Sequence, residues 1–99
     1  MSDDDLLLIL KANLGISSTG RDNYLKPLLK STRDELVNQK GIPVDDVTSE
    51  MFLVDLTAFR YRNRGEGAMP RNLAYRLHNL MIHRQGEQSR AASTDGGGD

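Results

Sequence analysis

Thr48-Ser-Glu-Met-Phe-Leu-Val-Asp-Leu-Thr-Ala-Phe-Arg-Tyr-Arg-Asn-Arg64 has the pattern of an amphipathic helix. Phe52, Leu56 and Phe59 recur at the spacing of one helix face, and Leu53 lies beside them. Thr48 or Ser49 is placed to cap the first turn, which also holds Glu50. Arg60, Arg62 and Arg64 populate the last turn, where cations meet the negative end of the helix dipole. The pattern predicts a helix over 49–63.

On the N-terminal side the same period recurs twice. Leu25, Leu28, Leu29, Thr32, Leu36 and Val37 predict a helix over 21–39, opened by Thr19 and Asp22 at capping-box spacing and stopped by Gly41 and Pro43. Pro27 is the awkward residue in it, because proline inside a helix removes one hydrogen bond and crowds the preceding turn. Either the helix kinks there or it starts later. Before it, Ser2 and Asp5 form a capping-box-like pair, and Asp3 to Asp5 meet the positive end of a helix over 3–13. Leu6, Leu10 and Leu14 share its apolar face, Leu7 widens it, Ile9 lies off it, and Gly15 occupies the position of a left-handed C-terminal cap.

On the C-terminal side, Gly65 and Gly67 interrupt the chain and Pro70 suits the first position of a fourth helix over 70–84. Leu73, Leu77, Leu80 and Met81 form its core stripe, widened by Ala74, while Arg76 and Asn79 fall elsewhere on its surface. From Gln85 to Asp99 no apolar residue is larger than alanine, a composition that predicts a disordered tail. The expected architecture is all-α, a small four-helix domain over residues 1–84 followed by a flexible segment over 85–99.

Composition excludes several kinds of chemistry. The 99 residues include no cysteine, which removes disulfides, thiolate nucleophiles and cysteine-bound metal centres. The apolar run Leu6 to Leu10 falls far short of the roughly 20 residues that span a bilayer, and the acids before it oppose the charge of an export signal. No membrane role is expected. His78 and His83 stand about 140° apart around a helix and cannot share a metal as an i, i+4 pair does. Neither Gly65-Glu-Gly67 nor Gly96 to Gly98 follows a strand or carries the lysine and hydroxyl of a phosphate-binding loop. The aspartate pairs lie where helices start and acids are structurally useful, so no catalytic residue, cofactor or metal is expected.

Charge is the informative quantity. The net charge of −1 conceals ten acids against six bases over residues 1–59, six arginines against one acid over 60–84, and three acids against one base over 85–99. Oppositely charged segments on so small a body suit docking to copies or partners. The run Phe59-Arg-Tyr-Arg-Asn-Arg64 has two physical readings. Arginines interleaved with aromatics can hold phosphates and stack on bases. Equally, they can form a solvated or protein-binding face that complements the helix end.

Four segments, taken in order, resemble the head-tail connector family of long-tailed bacteriophages. These are Asp5-Leu-Leu…Leu14-Gly-Ile, Arg21-Asp-Asn-Tyr-Leu25, Leu56-Thr-Ala-Phe-Arg-Tyr-Arg62 and Met69-Pro-Arg-Asn-Leu-Ala-Tyr-Arg-Leu77. The likeness covers roughly residues 4–84 and lies in order and spacing; Pro27 and the glycine-rich C-terminal segment depart from it. It implies a virion structural protein, not an enzyme, assembled in the host bacterial cytoplasm and resident at the head-tail interface. It further implies a ring of copies beneath the portal protein, matched to the portal's twelve-fold symmetry. Such a ring extends the channel that DNA traverses without sequence-specific contact, and presents a surface to the head-completion or stopper protein. On this reading Arg60, Arg62, Arg64, Arg71 and Arg76 contribute subunit or portal contacts, meeting Asp45, Asp46 and Asp55 of neighbours. Residues 85–99 are expected to order on assembly.

Two alternatives stay open. In one, the helices over 49–63 and 70–84 act as a helix-turn-helix DNA-binding regulator, although the Arg64 to Met69 connection exceeds the usual three or four residues. In the other, the chain is a helical interaction module that binds one partner without forming a ring.

Overall fold

The computed structural model describes residues 1–63 and 67–82, so the expectations for Arg64, Gly65, His83 and residues 85–99 lie outside it. Local signals build α1, Asp3–Leu14. The Ser2 hydroxyl accepts the Asp5 amide at 3.2 Å, and three aspartates occupy the first turn. At the other end Gly15 has φ +74°, a conformation in which any larger side chain is strained. It lets the Gly15 and Ile16 amides reach the carbonyls of Ala12 at 3.2 Å and Lys11 at 2.8 Å.

Helix α2, Asp22–Asp34, starts differently from expectation. Arg21 stands at its cap but its side chain makes no capping hydrogen bond, and Thr19 contributes only its backbone carbonyl, 3.2 Å from the Asp22 amide. The helix runs through Pro27 and does not begin after it. Pro27 and Asn23 are both exposed, so the Asn23 carbonyl that loses its usual donor can turn to water. Beyond Asp34 the chain widens into a π-helical segment, Glu35–Gln39, whose first carbonyl accepts the Lys40 amide at 3.1 Å. Gly41, at φ +69°, then turns the chain so that the Ile42 amide reaches the Leu36 carbonyl at 2.9 Å and Ile42 is buried. Val37, expected on the apolar face, points outward because it stands about 100° around from Leu36.

Helix α3, Val47–Asn63, begins two residues before the expected position. Neither Thr48 nor Ser49 caps it; the Asp46 carboxylate accepts the Ser49 amide at 2.8 Å, and the Ser49 hydroxyl sits 3.3 Å from the Asp46 amide. Two backbone amides are thus satisfied reciprocally, as in a capping box with serine at its far end. Phe52, Leu53, Val54, Leu56, Thr57 and Ala58 are all buried, so α3 is enclosed on most of its circumference and not along one stripe. It packs against both α1 and α2. The buried Thr57 and Thr32 hydroxyls donate to the carbonyls four residues earlier, Leu53 at 2.7 Å and Leu28 at 2.8 Å.

A last helix, α4, covers residues 71–82, with Pro70 as the cap whose carbonyl accepts the Ala74 amide at 2.9 Å. Leu73 is buried, and Leu77, Leu80 and Met81 pack partly against the core. Ala74, expected to widen that stripe, is exposed. The described residues are therefore all-α, four helices with no strand, around a core whose largest enclosed side chains include Phe52, Leu6, Leu10, Leu25 and Leu53.

Candidate functional site

The fold gives most of the described arginines of the basic segment partners within the chain. Arg60 lies across the junction of α2 and the π-helical segment. Its guanidinium forks onto Glu35, with nitrogen–oxygen distances of 2.7 Å and 3.0 Å, and approaches the Thr32 hydroxyl at 3.5 Å. That hydrogen bond, assisted by the charges of Arg60 and Lys40, outweighs desolvation and holds the Glu35 carboxyl below its ordinary pKa. Arg62 donates to the Asn13 carbonyl at 3.0 Å and the Asn13 amide oxygen at 3.1 Å. It therefore serves the C-terminal end of α1, not only that of its own helix. Arg76, expected on the open surface, is half-buried between α3 and α4, 2.7 Å from Asp55 and stacked 5.4 Å from the Phe52 ring centre. Arg71 is exposed and has no ion pair among the described residues.

The acids divide in the same way. Asp55 joins three helices by accepting from Arg76 and, at 3.3 Å, from the Asn13 side-chain amide. Asp46 is the α3 cap, and Asp45 beside it is exposed. Arg76, Phe52 and Asp46 line a cleft of about 380 Å³ with Thr48, Asn79 and Leu80. Asp55 and Arg76, named separately from the sequence, thus meet inside one chain, as do Arg60 and Glu35.

Sequence reasoning missed two surfaces. The first is a cluster at the α1–α2 turn. Tyr24 and Tyr61 stack at 5.8 Å with their planes tilted by 58°, and the Arg21 guanidinium lies 5.9 Å over the Tyr61 ring while donating to its hydroxyl. With Gly20 these side chains line a shallow cleft of about 220 Å³, and Tyr24 is 48% exposed. Its sequence signals were Tyr61 within the arginine run and the Arg21-Asp-Asn-Tyr-Leu25 segment, which only the fold brings together.

The second surface is the outer face of α1. Leu6, Leu7, Leu10 and Lys11 are buried, with Lys11 paired to Asp22 at 2.9 Å at one end of α2 and Asp3 paired to Arg33 at the other. Those end contacts make α1 and α2 an antiparallel hairpin. Asp5, Leu8 and Ala12 lie on the opposite side and are exposed, Leu8 by 65%, whereas Asp4 lines a cleft with Lys26, Pro27 and Lys30 of α2.

Among the described residues no group of three or more metal-binding side chains is gathered, and His78 is exposed. No described helix is long and apolar enough to cross a membrane. The described surfaces carry cation, aromatic and carboxylate groups on helices. No protein-family model, no curated protein and no solved structure matches the chain.

Proposed function

We propose that the chain is a virion structural protein, a head-tail connector that forms a ring below the phage portal. The ring extends the DNA channel and joins the capsid to the head-completion and tail proteins. The observation that carries this reading is the ordered set of four segments between Asp5 and Leu77 that resembles the connector family, borne on an all-helical body of fitting size. The separation of charge along the chain supports it, since a ring of wedges buries flanks that a lone small domain leaves wet. The protein then acts by position and contact, and makes or breaks no bond.

The rival DNA-binding regulator loses support from the arginines. Three of the four described between residues 60 and 82 are engaged within the chain, which leaves a weak electrostatic footprint for a duplex. Light scattering of the purified chain across concentration tests the choice. The connector reading expects growth toward a closed ring of about twelve copies. A stable dimer that binds duplex DNA at low salt would replace it with the regulator.

A further inference from the structure

The two surfaces that the sequence did not expose are complementary to one another. One carries two tyrosine rings and a guanidinium: Arg21, Tyr24 and Tyr61. The other carries a leucine with a carboxylate one turn away: Leu8 and Asp5. Tyrosine and arginine dominate the centres of protein interfaces, because they bury much surface while losing little side-chain freedom. Asp5 has no ion pair among the described residues, unlike Asp3, which Arg33 holds.

The surfaces are also separate. The acidic stripe lies on the side of α1 turned away from its buried residues, whereas the aromatic cluster is built from the start of α2 and the end of α3. One chain can engage a neighbour through each at the same time. A contact between unlike faces is heterologous, and repetition of it closes a ring or extends a filament.

We infer that the outer face of α1 in one copy docks onto the Arg21–Tyr24–Tyr61 cluster of the next, with Leu8 against the exposed side of Tyr24 and Asp5 toward Arg21. The contact deepens the connector reading by naming the surfaces through which copies join. It involves none of the arginines first assigned to that task. A nucleic-acid strand is the less suitable occupant of the cluster, since neighbouring Arg62 is engaged with Asn13 and the chain is slightly acidic.

The absence of native cysteine makes the test direct. Full-length chains carrying Ala12→Cys and Gly20→Cys are mixed and oxidised, and the disulfide-linked products are counted. Both positions border the contact without supplying it; Ala12 is exposed, and a side chain added at Gly20 meets nothing within 4 Å. The expected product is the mixed A12C–G20C pair, well above its statistical share and above either like pair. Asp5→Lys in the A12C chain should abolish the preference, and Arg21→Glu in its partner should restore it. Statistical pairing overturns the contact. If the unmodified chain nevertheless assembles by light scattering, the ring reading survives with a different interface; if it remains monomeric at every concentration and on a portal, both fail.

Discussion

Replacing Glu35 by glutamine keeps the size and one acceptor of the side chain while removing the charge that Arg60 grips. The pair is only moderately exposed, with side-chain accessibilities of 26% for Arg60 and 29% for Glu35, and its geometry is a two-pronged fork. Exposed ion pairs contribute between nothing and about 1 kcal/mol, and a fork places this one at the upper end, about 1 kcal/mol. For a domain of this size that corresponds to roughly 4–8 °C in Tm. The pH dependence has a definite sign. Glu35 has a lower pKa folded than unfolded, so in the acid range the unfolded chain binds more protons and stability rises with pH. The contribution is complete above the unfolded pKa and lost as pH falls through the folded one. Urea midpoints of the wild type and E35Q should therefore differ near neutral pH and converge near pH ~2, where both side chains are neutral. A gap of equal size at both pH values, or none near neutrality, would refute the assignment of that stability to the fork.

Other substitutions probe the elements that place the surfaces. Asp46→Ala removes the α3 cap and should cost about 1–2 kcal/mol by urea denaturation, whereas Thr48→Ala, at the site first expected to cap, should change little. Gly15→Ala forces a β-carbon into a left-handed conformation and should cost about 1 kcal/mol, read as a lower Tm. Leu10→Ala opens a cavity at a side chain with no solvent exposure and should cost about 3–4 kcal/mol, read as a much lower urea midpoint by circular dichroism.

Much of this architecture was legible because its causes are local. The Ser2 cap, the Gly15 and Gly41 terminators and the leucine spacings depend on neighbours within one or two turns. They place both ends of α1 and α3 within two residues of their observed bounds and the starts of α2 and α4 within one, while the expected helix over 21–39 leaves α-helical geometry after Asp34. Legibility fails where a partner is distant. Asp46 could have been recognised from its spacing to Ser49, but three candidate caps stand within four residues and only the fold selects one. The burial of Val54 and Ala58 follows from enclosure of α3 by its neighbours, which one helix's periodicity does not report. The π-helical segment has no sequence signature comparable to a proline or glycine.

The candidate surfaces show the same division more sharply. The arginine-rich run was conspicuous as composition, yet Arg60, Arg62 and Arg76 find Glu35, Asn13 and Asp55 between 21 and 49 residues away. A charged side chain in sequence reads as available; in a fold it is available only if no partner reaches it first. Conversely, Arg21 and Tyr24 looked like an ordinary helix start, and became a surface only when α3 delivered Tyr61 beside them. Buried Lys11 and its pair Asp22 were likewise visible only after α1 and α2 closed on each other.

On the connector proposal, copies of this chain assemble on a portal ring. Native mass spectrometry of the full chain mixed with a portal protein encoded in the same genome tests this. A closed complement of about twelve copies per portal ring, with no stable smaller occupancy, is the expected result. Portal rings that retain no copies at any concentration, while the chain itself remains folded, would contradict it.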